Sequence, residues 1–231
     1  MNENDQKLNK YNIDIEEMAK EGVHLGRTVS KRHPKMQKYI VGIKNNCHII
    51  NLENTKEELE KALDLLSSLK KEQKIILFVA TNPPINKFVE KFAKEINTPY
   101  ITQRWLGGTL TNFPQILKRI NFYKNLKEKL EKGELEKYTK KEKAKFLKQL
   151  KELELKFAGI SNLEKLPDAI FICDVAKEKT CLKEARKMEI PIIGVCNTDA
   201  DPTKVNFPIP ANTISINSVL YILNFVKEVL K

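Results

Sequence analysis

The chain has 231 residues and carries 41 Lys and Arg against 30 Asp and Glu, which gives a formal net charge of +11. Hydrophobic residues make up 41%, and no window approaches the roughly 18 apolar residues that a membrane-spanning helix needs. The first residues lack the apolar core of a signal peptide, and the four cysteines form no CxxC pair. These features exclude a disulfide framework and predict an intracellular protein whose partner is a polyanion, nucleic acid before a membrane surface.

The positive charge is concentrated in two segments. Residues 27–52 hold six basic side chains and no acid, and residues 118–156 hold fourteen basic side chains against seven acids. Charge localised in this way is typical of a binding surface, whereas an even spread would indicate only a lysine-rich composition. We therefore expect both segments to contact nucleic acid.

Short elements are expected before the first long strand, after a polar and frayed beginning at residues 1–12. A helix, two strands joined by a turn and a second helix are predicted over residues 15–21, 39–43, 47–52 and 55–69. Asp14 and Gly22 are suited to begin and end the first helix. Thr55 and Glu58 have the spacing of a capping box that would open the second.

An alternation of strands and helices follows. The continuous apolar run 75–80 is typical of a strand buried on both faces, and Asn82 followed by Pro83 predicts the start of a helix. Further strands are expected at residues 99–102, 169–173, 191–196 and 207–209, with a helix to about Met188 and a last one over 214–230. Pro208 would confine the last strand to an edge. This order predicts an α/β fold in which a parallel sheet has helices on both faces.

Two amphipathic helices interrupt the alternation between the second and third strands of this sheet. Gly133 would end the first helix, and Thr139 with Glu142 forms a capping box for the second. Each has about 17 residues and a narrow apolar stripe, which predicts an inserted antiparallel coiled-coil hairpin. The expected organisation is an α/β body of residues 1–112 and 159–231, with its basic loop and β-hairpin at about 22–52, and a hairpin of residues 113–158.

Candidate RNA-binding residues lie in the basic loop, in the hairpin and in the loop after the second strand of the sheet. The last of these contains the only tryptophan and two glycines that permit a close backbone approach, although the tryptophan could instead pack on the core. The residues expected to contact RNA are Arg27, Lys31, Arg32, Lys35, Lys38, Lys44, His48, Arg104, Trp105, Asn112, Lys140 and Lys141.

A nucleotide-using enzyme is disfavoured by the loops after the strands. No GxGxxG or GxxxxGK[ST] motif occurs, and Pro83 and Pro84 remove amide donors where a phosphate would bind. A metal-dependent hydrolase is a competing hypothesis, in which Asp174, Asp199 and Asp201 hold a divalent ion together with His24. The same carboxylates also suit helix caps and turns, which need no metal.

The histidines and the helical hairpin each suggest a further hypothesis. A zinc site built from His24, Cys47 and His48 is conceivable, but it lacks the usual ligand spacing. A protein-interaction module is conceivable in which the helical hairpin mediates oligomerisation, but it does not explain two separate basic segments.

Six motifs occur in order along the chain: residues 22–26 (GVHLG), 33–36 (HPKM), 48–52 (HIINL), 104–112 (RWLGGTLTN), 166–169 (LPDA) and 197–202 (NTDADP). Together they resemble the bacterial small-subunit ribosomal protein S-two family over about residues 13–230. The resemblance implies a flavodoxin-like sheet with an inserted coiled-coil hairpin and a role without catalysis. It implies binding to small-subunit ribosomal RNA, to neighbouring ribosomal proteins and to the large mRNA-binding ribosomal protein S-one. It implies a cytoplasmic ribosome, bacterial or else organellar, and no small-molecule substrate.

The chain departs from the family pattern at three places. Arg27 stands where the family usually has histidine, residues 32–33 replace a common Trp-Asn, and residues 81–84 replace a common Thr-Lys-Arg. The departures at Arg27 and at residues 32–33 supply basic residues, which is compatible with a loop that faces RNA. We expect binding by lysines and arginines that displace counterions, with RNA shape and not base sequence positioning the protein.

Overall fold

The computed structural model describes residues 10–83, 85–133 and 137–231. Most of the predicted frayed beginning, and the prediction made for Pro84, therefore lie outside the described residues. The helices and strands are α1 Ile15–Lys20, β1 Leu25–Thr28, β2 Ile40–Lys44, β3 Cys47–Ile50, α2 Leu52–Lys71, β4 Ile76–Val79, α3 Ile85–Glu95, β5 Tyr100–Ile101, α4 Phe113–Glu131, α5 Lys140–Phe157, β6 Ala169–Ile172, α6 Lys179–Lys187, β7 Ile192–Cys196, β8 Phe207–Pro210 and α7 Ile216–Leu230.

Five strands form a parallel sheet in the order β5-β4-β6-β7-β8. Numbered within this sheet, the order is 2-1-3-4-5, which is the flavodoxin-like arrangement. The predicted α/β fold class is therefore confirmed, as is the edge position of the strand that contains Pro208. In such sheets the usual ligand crevice lies where the order reverses, here at the carboxyl ends of β4 and β6.

The sheet has a separate apolar core on each face. Phe78 and Phe171, in neighbouring strands, point to one face with their ring centroids 5.2 Å apart, and they pack with α2, α3 and α7. Leu77 and Ile170 point to the other face, where α6 and the loop after β5 cover them. Because successive strand residues alternate between faces, a strand that is apolar throughout must be covered on both sides.

A second, antiparallel sheet has the order β1-β3-β2 and carries the basic loop. The turn between β2 and β3 contains Asn45 and Asn46, which have φ values of 49° and 60°, as a tight two-residue hairpin turn requires. The prediction that residues 25–28 belong to a loop was wrong, because they form β1 and Leu25 pairs with Ile49 of β3. Their sequence has no alternating apolar pattern, and only the partner strand makes them extended.

Two predicted helix starts were wrong. The helix α2 begins at Leu52, because the Asn51 side chain accepts a hydrogen bond of 2.9 Å from the backbone N–H of Glu53. Thr55 does not cap it: its hydroxyl is buried and donates to the carbonyl oxygen of Pro210 at 2.6 Å. The helix α3 begins at Ile85 rather than at Pro83.

The helices α4 and α5 pack against each other and form the unit that we call the arm (residues 113–157). Ile116 near the start of α4 and Phe157 at the end of α5 line one cavity, so the helices run antiparallel. Thr139 and Glu142 make both hydrogen bonds of the predicted capping box. None of the helices in the described ranges is both long and apolar enough to cross a membrane.

Candidate nucleic-acid interface

A side chain of the protein itself binds the backbone at the carboxyl end of β4, where this fold usually has its ligand crevice. The carboxylate of Glu178 is 4% exposed and accepts hydrogen bonds from the backbone N–H of Thr81, at 2.9 Å, and from its hydroxyl. A backbone N–H at this place is the type of donor that would hold a phosphate group in a nucleotide-binding protein of this fold. The donor is already satisfied, which agrees with the absence of a phosphate-binding motif.

The basic segment, defined as residues 27–44, is attached to the loop after β7. The backbone N–H of Arg27 donates to the Thr198 hydroxyl at 2.8 Å, and its guanidinium lies 3.2 Å from the Asp199 carboxylate. Gly26 allows this approach, because a Cβ at that position would lie 2.6 Å from the Thr198 methyl carbon and 2.9 Å from the carbonyl oxygen of His48. The segment is therefore held on the sheet, and the charge of Arg27 serves that attachment.

The divalent-metal site of the competing hydrolase hypothesis is not assembled. In the part of the chain that the structure describes, no group of three or more His, Cys, Asp or Glu side chains could hold a metal ion. Asp199 is paired with Arg27, and Asp174 is 2% exposed. Burial, and then the Asp199 carboxylate, raise the pKa of Asp174 to about 6, against an opposing effect of Arg27. His24, the remaining predicted ligand, is half-buried.

Asp201 is used in the same way, as an internal acceptor. Its carboxylate lies 3.3 Å from the ammonium of Lys204 and 3.7 Å from that of Lys35, and the imidazole of His33 is 3.9 Å away. Burial would raise its pKa, but hydrogen bonds from Thr203 and Lys204 and the charge of Lys35 lower the pKa of Asp201 to about 2. Its charge is therefore matched by neighbours and does not need a metal ion.

Four other cations of the basic segment are exposed: Lys31, Arg32, Lys38 and Lys44. Arg32 donates to the side chain of Gln37, and the ammonium of Lys38 lies 4.5 Å above the ring centroid of Tyr39. Neither contact neutralises the positive charge. These side chains remain able to bind an anion.

The predicted role of His48 was wrong. Its side chain is 2% exposed and points from β3 into the protein, so RNA cannot reach it. Its position close to the basic loop in the sequence suggested a shared surface, but alternation along β3 places His48 on the inner face.

The loop after β5 is organised by a buried acid that was not predicted from the sequence. The carboxylate of Glu184 on α6 accepts hydrogen bonds from the indole N–H of Trp105 at 3.1 Å and from the backbone N–H groups of Gly108 and Leu110 at 2.8 and 3.0 Å. Burial opposes ionisation, but these donors, with Thr111, lower the pKa of Glu184. The carboxylate thus replaces the external anion that such a cluster of N–H groups would otherwise attract.

Trp105 is consequently not a platform for RNA bases, and the alternative interpretation, in which the tryptophan packs on the core, is the one that the structure shows. Its side chain is 7% exposed, because the ring packs on the sheet face that also holds Val79 and Leu110. Arg104 and Asn112, at the two ends of the same loop, are exposed. They remain candidates for contact with RNA.

The two predicted lysines of the arm are far from this loop. Lys140 and Lys141 are exposed at the first turn of α5, whereas Phe157 at the last turn lies beside the loop. At 1.5 Å per residue the helix is roughly 27 Å long, so the arm carries positive charge well beyond the body.

A third cationic surface was not predicted from the sequence. The helix α6 presents Lys179, Lys183 and Arg186, which are exposed and line a groove of about 560 Å³; we call this surface the α6 face. In the sequence, Glu178 and Glu184 stand among these cations as if to balance them, but both carboxylates are directed inward. The spacing of three and four residues between the cations was the signal available in the sequence.

A protein-family model described as Ribosomal protein S2 matches residues 18–231. Curated relatives named Small ribosomal subunit protein uS2 include those of Hahella chejuensis, with 40% identity over 90% of this chain and 82% of the relative, and of Marinobacter nauticus, with 38% identity over 90% and 83%. The relative from Helicobacter acinonychis is 36% identical over 90% and 84%. All three are bacterial proteins of the ribosome and not enzymes, so the hydrolase hypothesis is not supported.

Proposed function

Because the chain belongs to the ribosomal protein S2 family, we propose that it is a structural component of the small ribosomal subunit that binds ribosomal RNA through exposed cations. One observation supports the RNA-binding part of this proposal. The carboxylates nearest the cationic surfaces already accept hydrogen bonds from other groups of the protein or form ion pairs with them. Glu178 and Glu184 are buried examples. Asp199 and Asp201 line the same groove as the α6 cations, and they are paired with Arg27 and with Lys35 and Lys204. The cations outside them are left without compensation, which favours a polyanionic partner.

The proposed mechanism is electrostatic. Each lysine or arginine that meets a phosphate releases condensed counterions, and this release supplies most of the binding free energy. Cations are spread over the basic segment, the α6 face and the arm, so they suit a folded RNA that meets the protein at several places. We propose that RNA shape positions the protein, because the basic segment offers few aromatic rings to a base: Tyr39 is 5% exposed, and His33 lies 3.9 Å from the Asp201 carboxylate.

The proposal also covers the organisation of the chain and its protein partners. Residues 113–158 would act as an inserted arm on a body of residues 1–112 and 159–231. Leu25, Val41 and Ile43 of the small sheet are 42%, 69% and 60% exposed, which suits contact with another protein better than contact with phosphate. Neighbouring small-subunit proteins, including the large mRNA-binding protein S-one, are the partners that the family resemblance implies.

The test is the salt dependence of binding between the full chain and transcribed small-subunit ribosomal RNA. For six or more phosphate contacts we expect affinity to fall by about 10³-fold or more between 50 and 200 mM salt. Replacing Lys179, Lys183 and Arg186 together by glutamine should make the slope of log K against log salt shallower by roughly two to three.

The matched control replaces three ion-paired lysines, Lys61, Lys94 and Lys227, which changes the net charge by the same amount. Since those ammonium groups are already neutralised by glutamates, the slope should hardly change. Affinity that does not respond to ionic strength would overturn the electrostatic proposal, and equal effects of the two triple variants would remove the α6 face from it.

A further inference from the structure

A cavity of about 530 Å³ lies where the loop after β5 meets the base of the arm. Its wall is formed on one side by Leu106 and Gly107 and on the other by Ile116, Leu153 and Phe157. A volume of this size is within the range of sites that bind small organic groups. None of the RNA-binding residues predicted from the sequence, except Asn112, belongs to it.

The charged groups that line this cavity are both positive. Arg119 of α4 and Lys156 of α5 are exposed, and neither forms an ion pair with any residue in the described ranges. No carboxylate is among the residues that line it. An anion that enters the cavity would therefore meet two uncompensated cations, which is the arrangement expected for a phosphate group.

The rest of the lining suits a base better than it suits further phosphate. Asn112 and Gln115 are among the residues that line the cavity, and the Asn112 side chain makes no capping hydrogen bond to α4. An amide presents a donor and an acceptor together, as a base edge does. Leu106 and Leu153, which are half-buried, add an apolar surface on which a base can lie, and Phe157 supports that surface from beneath.

The cavity exists before any ligand arrives. Glu184 holds the backbone of Gly108 and Leu110 from behind, so that side of the wall is ordered by hydrogen bonds within the protein. The other side is formed by the packed bases of α4 and α5. A preformed site binds without the entropic cost of ordering its own loop.

We propose that this cavity, which we call the arm-base pocket, binds one unpaired nucleotide of the ribosomal RNA. Its phosphate contacts Arg119 and Lys156, and its base lies on the apolar wall with its edge toward Asn112 and Gln115. The inference rests on the proposed function, since it assumes that the partner is RNA. Among polyanions, a phosphorylated peptide would use the two cations but would leave the amides and the apolar wall without partners.

The first test blocks the pocket without removing charge. Gly107 has ordinary backbone geometry, and a Cβ there would meet nothing within 4 Å, so the fold accepts a side chain. The variant Gly107→Trp should occupy the pocket, and Gly107→Ala is the control that adds a methyl group alone. Equal urea midpoints for wild type and both variants establish that the fold is intact.

The readout is acylation of ribose 2′-hydroxyls in the ribosomal RNA, which reports unpaired nucleotides. With wild type and Gly107→Ala, one unpaired nucleotide should be protected; with Gly107→Trp its reactivity should return while other protections remain. Affinity should fall by about fivefold or more, the smallest effect of losing one stacked base.

A second pair of variants tests the phosphate contact. Arg119→Gln with Lys156→Gln should expose the same nucleotide, whereas Lys124→Gln with Lys127→Gln, an equal loss of charge elsewhere on the arm, should leave it protected. Identical footprints for wild type, Gly107→Trp and the Arg119/Lys156 variant would overturn the pocket while leaving the proposed RNA binding intact. A wild-type chain that binds the RNA but protects no nucleotide would overturn the pocket alone, whereas a chain that binds no ribosomal RNA in the salt titration would overturn both proposals.

Discussion

The body and the arm use their acidic residues in opposite ways. In the body, Glu178 and Glu184 are 4% and 8% exposed and accept hydrogen bonds from loops that are distant in the chain. In the arm, Glu128 is exposed and pairs with Lys132 four residues away. A carboxylate with several buried donors determines the course of a loop, whereas an exposed pair within one helix contributes a few tenths of a kcal/mol. The buried acids therefore fix loops on the apolar body, whereas the exposed acids of the arm add little to the apolar packing of its helices.

The largest effect that would test this comparison is expected from Glu184→Ala. Removal of the carboxylate leaves the N–H groups of Trp105, Gly108 and Leu110 without an acceptor in a buried place. We expect the free energy of unfolding to fall by about 3 kcal/mol, measured by urea denaturation. The control Glu154→Ala, at an exposed position of the arm, should change it by less than about 0.5 kcal/mol. Similar losses from the two variants would contradict the distinction.

An effect of intermediate size is expected from Asp174 in the body, as a dependence of the free energy of unfolding on pH. The pKa of Asp174 is raised to about 6 in the folded protein from an ordinary value of 3.8. Because the folded state then binds the proton more tightly, ionisation of Asp174 reduces stability as the pH rises from about 4 to about 6, and the loss is complete above pH 6.

Asp174→Asn removes this loss. We expect its stabilising effect in urea denaturation to be larger at pH 8 than at pH 4.5 by an amount on the order of 2 kcal/mol. The same effect at both pH values would mean that Asp174 ionises in its ordinary range.

The smallest effect is expected in the arm. Thr139→Ala removes the side-chain cap of α5, in which Thr139 accepts from the backbone N–H of Glu142 at 3.4 Å. A lost cap costs about 1 kcal/mol. Amide hydrogen exchange should accelerate in the first turn of α5 while protection in β4 and β6 is unchanged. Thr180→Ala, at an exposed position of α6, is the control and should leave exchange in α5 unchanged. If Thr139→Ala instead accelerates exchange throughout the body, the arm and the body are coupled more closely than their contacts indicate.

Local patterns were sufficient to predict most of the fold. The apolar runs at β4, β6 and β7 predicted buried strands because each is covered on both faces, and the capping box at Thr139 needed only residues three apart. The failures occurred where a distant residue offered a stronger contact. Thr55 donates to Pro210 rather than capping a helix, and β1 becomes a strand only through its pairing with β3.

The candidate interface was less predictable than the fold. The exposed cations Lys31 and Lys44 are where the charge pattern placed them, although contact with RNA stays a prediction. Trp105 was assigned to the interface because its residue type suits RNA, and His48 because it is close to the basic loop in the sequence, but both side chains are buried. The contact that shows Trp105 to be a core residue is its hydrogen bond to Glu184, which is 79 residues further along the chain. No local sequence pattern connects these two residues.

The amino-acid order by itself determined the alternation of strands and helices, the inserted helical pair and the two stretches rich in lysine and arginine, because each depends on neighbours within one or two turns. Only the tertiary structure decided which carboxylates are satisfied inside the molecule, and therefore which cations remain free to meet an anion. A buried carboxylate selects donors by distance in space, and Glu184 and Glu178 find theirs in segments that folding brings to them.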